Sequence, residues 1–345
     1  MYIESMKPRE RIEAVLAGGG VDQVPLYPPY QAYWALEMYG VDVPSSIRDP
    51  EIGAEIQIKV AERFGFDAIE ASGDCFMPYV EAMGAEVNQP DVGPGSTQAP
   101  ILNELADLDK LEVPDIRSDY RTQAHIAATE YLIDRVGNER YIQMTVIAPM
   151  TLAGELRGVE AIMMDTILEP EFVNDCLRLC TDVLIMYMEE MTKTGVDAVS
   201  VCDPTASGSL ISRECFEEFA LPFIIEQDRA VKKGGAIDVL HICGDTTDRL
   251  DTIYSSGAEI FSMDWQVDIK DAFDRVEHNM TLLGNVRPPH ALFAGTPEMC
   301  LEESLSCIDK AANYRFMLGA GCDIPPGSPE ENVMQMKRAV EMRRI

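Results

Sequence analysis

The chain has 345 residues, of which 46% are hydrophobic, and its 28 basic and 59 acidic residues give a net charge of −31. This length and apolar content fit one large core, so we expect a single domain over residues 1–345. The negative charge disfavours nucleic acid and anionic membranes as partners, and a charged amino terminus without a long apolar run predicts a cytoplasmic protein.

Short runs of apolar and β-branched residues recur along the chain, and Gly, Asp or Pro follows each of them. This pattern is typical of buried parallel strands that lead into loops. The strands are predicted at residues 24–27, 67–71, 141–147, 198–202, 237–243, 259–264, 280–285 and 315–318.

Helical patterns lie between the predicted strands, most clearly at residues 171–194, 212–233, 297–312 and 329–344. Ser212, Thr296 and Ser328 are predicted to cap the last three of these helices. Eight strands alternating with helices predict a (β/α)8 TIM barrel of the α/β class, with extra helices at its amino terminus. The long gap at 75–140 predicts an insertion after the second strand, near the mouth of the barrel.

Candidate metal ligands lie at the ends of two predicted strands. His241 and Cys243 are two residues apart at the end of the fifth strand, so their side chains are expected on the same face. Cys322 follows the eighth strand in a Gly- and Pro-rich loop. Barrel enzymes place their active sites at the carboxyl ends of the strands, where these three residues are predicted to lie.

One imidazole and two thiolates form a ligand set that suits Zn²⁺, and a fourth position open to substrate is typical of catalytic zinc. Ordinary packing of buried cysteines is the alternative for an H-x-C motif on its own. Glu155, just past the third strand, is a candidate fourth ligand. Cys75 and Cys202 also end strands, where they can face the mouth of the barrel, but each lacks a paired ligand in its own motif, so packing is expected and metal contact is the alternative.

Three segments resemble the carboxyl-terminal half of methylcobamide:coenzyme M methyltransferases: HICGDTTDRLDTIYSSGAEIFSMDWQVDIKDAF, LLGNVRPPHALFAGTPE and MLGAGCDIPPGSPEENVMQMKRAV. Upstream, IAPMTLAGEL and DPTASGSLISRECFEEFALPF are similar to the wider uroporphyrinogen decarboxylase superfamily. The resemblance implies a (β/α)8 barrel that binds zinc through the H-x-C motif and a later Cys. Here these residues are His241, Cys243 and Cys322.

The resemblance also implies methyl transfer between a small molecule and a corrinoid carried by a small partner protein. In one direction a zinc-bound thiolate, such as that of coenzyme M, attacks the methyl group on cobalt and leaves Co(I). In the other direction zinc polarises a methylated donor, for example an O-methyl compound, and Co(I) attacks its methyl carbon.

The segment after the first strand is rich in aromatic residues and methionine. Tyr27, Tyr30 and Trp34 are candidates for the lining of an apolar substrate pocket, with packing of an amphipathic helix as the alternative. Asp264 ends the sixth strand and is a candidate partner for the second ring nitrogen of His241. Asp203 ends the fourth strand and is a candidate substrate contact. Capping of the next turn is the alternative for both carboxylates.

Two other functions remain open at this point. One is uroporphyrinogen decarboxylase itself, whose members share an arginine-rich loop after the first strand that holds a substrate with many carboxylates. Here residues 27–48 contain no basic residue before Arg48, which disfavours such a substrate on a protein of charge −31. The other is a barrel that binds a corrinoid or tetrapyrrole without catalysis.

Overall fold

The computed structural model describes residues 5–71, 74, 77–276, 280–311 and 315–344. The strands in this part of the chain are β1 (Ala68–Glu70), β2 (Val87–Asn88), β3 (Ser96–Thr97), β4 (Tyr141–Ile147), β5 (Ala198–Cys202), β6 (Ile237–Ile242), β7 (Ile260–Met263), β8 (Thr281–Val286) and β9 (Phe316–Ala320). Seven of them form one sheet of parallel neighbours in the order β1-β4-β5-β6-β7-β8-β9. The other two, β2 and β3, form an antiparallel hairpin.

A segment at residues 25–27 closes the seven-stranded sheet into a barrel. The Tyr27 N–H donates to the Leu318 carbonyl and the Leu318 N–H donates to the Pro25 carbonyl, both at 2.8 Å. On the other side, the Asp67 N–H donates to the Leu26 carbonyl at 2.7 Å. The segment therefore lies between β9 and β1 as an eighth member, although only Leu26 makes a bridge of strand type. The predicted (β/α)8 barrel is confirmed.

Helices connect the strands on the outside of the barrel. Those described are α1 (Pro8–Leu16), α2 (Ala32–Met38), α3 (Val43–Arg48), α4 (Pro50–Phe64), α5 (Met77–Ala82), α6 (Tyr120–Val136), α7 (Pro149–Arg157), α8 (Val159–Leu168), α9 (Pro170–Thr192), α10 (Arg213–Cys215), α11 (Leu221–Lys233), α12 (Leu250–Tyr254), α13 (Ile269–Arg275), α14 (Pro297–Lys310) and α15 (Glu330–Met342). Among the described residues, no helix is long and apolar enough to span a bilayer.

The predicted insertion lies between β1 and β4. It contains α5, the β2–β3 hairpin and two short 3-10 turns at Leu105–Lys110 and Ile116–Ser118, after which α6 leads back to the barrel. Helix α1 precedes the first barrel segment, as expected of an added amino-terminal helix.

Two of the three predicted helix caps are confirmed. The side chains of Ser212 and Thr296 each accept a hydrogen bond from a backbone N–H in the first turn of the helix that follows. The prediction for Ser328 is wrong, because Pro329 is the N-cap residue of α15 and has an extended backbone. The Ser328 carbonyl instead accepts a hydrogen bond from the Trp34 indole N–H at 2.9 Å.

The inside of the barrel is apolar at its amino-terminal end. Inward-facing side chains from the strands pack there against Ile12 and Val15 of α1, which covers this end of the barrel. Burial of this surface contributes about 25 cal/mol for each Å² removed from water. The strand residues of this layer are Tyr27, Ala68, Tyr141, Ala198, Val239, Ile260, Leu283 and Met317.

Buried charges fasten α1 to the barrel. The Arg11 guanidinium donates to the Asp22 carboxylate at 2.7 Å and also pairs with Asp67. Asp67 in turn accepts a hydrogen bond from the Leu26 N–H at 2.6 Å, which holds the closing segment. Burial raises the pKa of Asp67 to about 6, and the charge of Arg11 opposes this rise.

Replacement of Arg11 by Met is expected to lower the free energy of unfolding by about 3–5 kcal/mol, because Asp22 and Asp67 remain buried after they lose the guanidinium they share, with Arg344 still paired to Asp22. Urea unfolding followed by circular dichroism measures this change. The matched control is Arg178→Met, which removes a partly exposed pair with Glu226 and should cost no more than about 1 kcal/mol. Equal losses in the two variants would contradict the role given to Arg11.

Candidate metal centre

The three predicted metal ligands lie together at the carboxyl ends of the strands. His241 is in β6, Cys243 follows that strand directly, and Cys322 is in the loop after β9. The His241 Nε2 atom is 3.2 Å from the Cys243 sulfur, and the Cys243 and Cys322 sulfurs are 3.7 Å apart. The end of β6 and the loop after β9 therefore bring one imidazole and two thiols close together.

A further thiol, that of Cys202, belongs to the same cluster. The potential ligand atoms of Cys202, His241 and Cys243 all lie within 4.8 Å of one another. Cys202 ends β5 and is paired in register with His241. Packing was the role expected for Cys202, because the residue that places it beside the imidazole is on another strand, and the sequence of one strand does not contain its register with the next. Cys75, given the same assignment, lies outside the described residues.

The other ring nitrogen of His241 is held by the neighbouring strand. The Nδ1 atom lies 3.0 Å from the Ser262 carbonyl oxygen and 3.1 Å from the Ser262 hydroxyl oxygen. A carbonyl only accepts, so Nδ1 carries the proton and Nε2 keeps its lone pair toward the sulfurs. The Tyr30 ring packs edge-on against the imidazole, with 5.0 Å between ring centroids.

Asp264 does not occupy the place expected for it beside the His241 ring nitrogen. Its carboxylate accepts a hydrogen bond from the Gln266 N–H at 2.9 Å, and its carbonyl accepts one from the Asn285 amide at 3.0 Å. Strand register explains the difference, since His241 is paired with Ser262 in β7 and Asp264 lies two residues further along. Asp264 therefore caps the turn after β7.

Asp203 is fully buried directly after β5. The Thr151 hydroxyl donates to its carboxylate at 2.7 Å, and its own N–H donates to the His241 carbonyl at 2.8 Å. Burial raises the pKa of Asp203 to about 7, and the hydrogen bonds it accepts oppose this rise. The residue connects β5 to α7 and β6, while contact with a substrate stays a prediction.

Glu155, the predicted fourth ligand, lies on α7. Its carboxylate accepts hydrogen bonds from the Thr97 hydroxyl at 2.5 Å and the Thr97 N–H at 3.4 Å, which attaches the β2–β3 hairpin to the helix. Among the described residues, the compact group of potential ligand atoms consists of those of Cys202, His241 and Cys243, and it does not include Glu155.

Tyr27 and Trp34 are packing residues. Tyr27 belongs to the apolar layer at the amino-terminal end of the barrel, and its hydroxyl donates to Gln143 at 2.6 Å. Trp34 packs edge-on against Phe64 in the outer layer, at 5.0 Å between ring centroids. Of the three aromatic residues predicted to line a pocket, the structure brings Tyr30 alone into contact with the imidazole.

A buried carboxylate positions the loop that carries Tyr30. Glu70, at the end of β1, accepts hydrogen bonds at 3.2 Å from the backbone N–H groups of Gln31 and Ala32, at the start of α2. The Tyr30 hydroxyl shares a hydrogen bond of 2.7 Å with Ser200 in β5. Burial raises the pKa of Glu70 to about 7. Glu70 was not among the predicted site residues, because it lies within a short strand whose other residues are apolar.

The donor set of the cluster fits zinc. The hydrogen bond with Cys202 and burial hold the pKa of the Cys243 thiol far above its usual range, and the contact with Cys243 does the same for Cys322. Thiols packed this closely away from water ionise together only when a cation compensates their charge. Sulfur and imidazole nitrogen are the donors that zinc prefers, whereas magnesium and calcium prefer oxygen.

Comparisons with known proteins agree with the fold and with the resemblance. The chain is 30% identical over 332 residues to the methylcobamide:CoM methyltransferase MtbA of Methanosarcina acetivorans, which covers 95% of this chain and 96% of the relative. It is 28% identical over 304 residues to a uroporphyrinogen decarboxylase of Anaeromyxobacter sp. (strain Fw109-5), covering 85% of each.

Among solved structures, a methyltransferase from Methanosarcina mazei superimposes with a TM-score of 0.90 at 25% identity, covering 99% of this chain and 100% of that one. A B12-independent methionine synthase from Shewanella sp. W3-18-1, at 11% identity and a TM-score of 0.60, shares the fold. The family model for uroporphyrinogen decarboxylase (URO-D) matches residues 7–343. The chain therefore belongs to the uroporphyrinogen decarboxylase family, and within it is similar to methylcobamide:CoM methyltransferases.

Proposed function

We propose that this protein is a zinc-dependent methyltransferase that moves a methyl group between a corrinoid protein and a small molecule. The observation that carries the proposal is the convergence of His241, Cys243 and Cys322 at the carboxyl ends of the barrel strands. Relatives named as methylcobamide:CoM methyltransferases support a thiol such as coenzyme M as methyl acceptor.

In this proposal His241, Cys243 and Cys322 hold the metal. When bound, zinc supplies the positive charge that keeps a sulfur in its nucleophilic thiolate form at neutral pH. The Ser262 carbonyl fixes the tautomer of His241 by accepting a hydrogen bond from the Nδ1–H group, so that Nε2 is free to act as a ligand. Tyr30 packs against the imidazole ring and limits its rotation.

In methyl transfer to a thiol, the carbon–cobalt bond of the partner's methylcorrinoid would break, and both of its electrons would stay on cobalt, which would become Co(I). A carbon–sulfur bond forms between the methyl group and the acceptor thiolate, whose proton has gone to solvent. A methylated donor would use the same site in reverse, with Co(I) supplying the electron pair to the methyl carbon.

The alternative function, uroporphyrinogen decarboxylase, is disfavoured because this chain has no cationic clamp in the segment where that branch of the family has an arginine-rich loop. Arg48, the first basic residue after the closing segment, lies at the end of α3 with its side chain 70% exposed, 3.8 Å from Asp42. A substrate with many carboxylates needs cations that face it when it is removed from water. Residues 27–48 offer none to the inside of the barrel.

Replacement of Cys243 by Ser is expected to remove bound zinc and to lower methyl transfer by at least about 100-fold, because the alcohol is a poor zinc ligand. Zinc is measured by elemental analysis of the purified protein. Transfer is measured with free methylcobalamin and a thiol, by the visible absorption change on loss of the methyl group. Cys215→Ser, on α10, is the matched control and should match the unmodified protein. Unchanged transfer in Cys243→Ser, or decarboxylation of uroporphyrinogen by the unmodified protein, would contradict the proposal.

Replacement of Ser262 by Ala is expected to weaken zinc binding by roughly 10-fold, because the hydroxyl contact with His241 is lost while the backbone carbonyl contact remains. Competition for zinc with a chelator of known affinity measures the change. Ser209→Ala, in the loop after β5, serves as the control. A Ser262→Ala protein with unaltered zinc affinity would show that the hydroxyl does not help to orient the imidazole.

A further inference from the structure

We propose that Cys202 is a fourth protein ligand of the zinc, so that the resting centre is closed by three sulfurs and one nitrogen. The inference rests on the proposed function, because it presumes that the metal binds at His241, Cys243 and Cys322. It changes the description of the site, since a three-ligand centre is open to substrate and a four-ligand centre is not.

The position of Cys202 in the sheet places it beside His241. The two are paired residues of neighbouring parallel strands, so both side chains point to the inside of the barrel at the same height. Their ligand atoms, together with that of Cys243, lie within 4.8 Å of one another. Three residues from two adjacent strands therefore form a compact group before Cys322 is added from across the barrel.

The distances between the potential ligand atoms are close to those of a tetrahedral zinc site. Zinc bonds of about 2.3 Å to sulfur and about 2.0 Å to nitrogen place tetrahedral ligand atoms about 3.5–3.8 Å apart. The separations of 3.2 Å between His241 and Cys243 and 3.7 Å between Cys243 and Cys322 are close to these values. For the separations of Cys202 from His241 and Cys243, the limit of 4.8 Å leaves a closure of about 1 Å at most, which a side-chain rotation accomplishes.

The surroundings of the Cys202 thiol differ from those of the cysteines in the apolar core. Cys176, Cys180, Cys300 and Cys307 are buried members of the apolar core, as expected of cysteines that only fill space. Cys202 is also buried, at 7% exposure, yet it belongs to neither apolar cluster of the described residues. Its sulfur lies beside the ligand atoms of His241 and Cys243.

The carboxylates near the strand ends are worse placed to act as the fourth ligand. Glu155 is bound by Thr97, and an Asp264 oxygen accepts the Gln266 N–H. Asp203 and Asp323, the residue after Cys322, each retain one buried oxygen without a hydrogen-bond partner, and they are therefore the competing candidates. A sulfur and an oxygen in the fourth position are readily distinguished by experiment.

A closed resting centre has a consequence for substrate binding. A substrate sulfur would take the position of Cys202. Its bond to zinc would form as the bond to Cys202 breaks, and the proton of the incoming thiol would pass to the released Cys202 sulfur, which would become a neutral thiol. Cys202 would then keep water away from the metal until the substrate arrives, while the other three ligands stay in place.

X-ray absorption at the zinc edge of the unmodified, zinc-loaded protein tests the inference without any substitution. The expected first shell contains three sulfurs at about 2.3 Å and one nitrogen. A shell of two sulfurs with the remaining atoms nitrogen or oxygen would overturn the inference and leave the proposed function intact. A protein that takes up no zinc would overturn the proposed function itself.

Cys202→Ser provides the second measurement, made on protein in which Co(II) replaces zinc. Thiolate-to-cobalt absorption should fall by roughly one third, as three thiolate ligands become two. Cys215→Ser is the control, and its spectrum should equal that of the unmodified protein. Equal spectra for all three proteins would exclude Cys202 as a ligand. If Cys202→Ser does not fold, as judged by circular dichroism, the sulfur count of the unmodified protein decides.

Discussion

Closure of the barrel by residues 25–27 is the constraint on which the rest of the structure depends. Hydrogen bonds to β9 on one side and to β1 on the other turn an open sheet into a cylinder. Closure brings the loops after all the strands to one mouth, including those after β6 and β9, which β7 and β8 separate in the sheet. The 3.7 Å contact between the Cys243 and Cys322 sulfurs is therefore a product of closure.

The two ends of the barrel interior differ in the polarity of their side chains. The amino-terminal end is filled by an apolar layer and covered by α1, which stabilises the cylinder. The carboxyl-terminal end holds thiols, an imidazole and the buried carboxylates of Glu70 and Asp203, whose pKa values burial raises to about 7. Burial without water makes these groups costly unless they are neutral, hydrogen-bonded or bound to a cation. A bound metal would supply the cation that compensates the thiols.

The sequence predicted the strand rhythm, the barrel and the meeting of the three principal ligand candidates, because residue alternation and strand ends are local properties. It did not predict what depends on register between strands. Ser262, and not Asp264, faces the imidazole, and Cys202 joins the cluster, because neighbouring strands are offset by amounts that no single segment encodes. Trp34 packs outside the barrel, as the helix-packing alternative had it.

Anomalous diffraction from crystals of the purified protein, recorded on both sides of the zinc absorption edge, would locate the metal. We expect one strong zinc peak within about 2.0–2.3 Å of the His241 Nε2 atom and the sulfurs of Cys243 and Cys322. A protein that transfers methyl groups to a thiol but shows no zinc peak at these three residues would contradict this expectation.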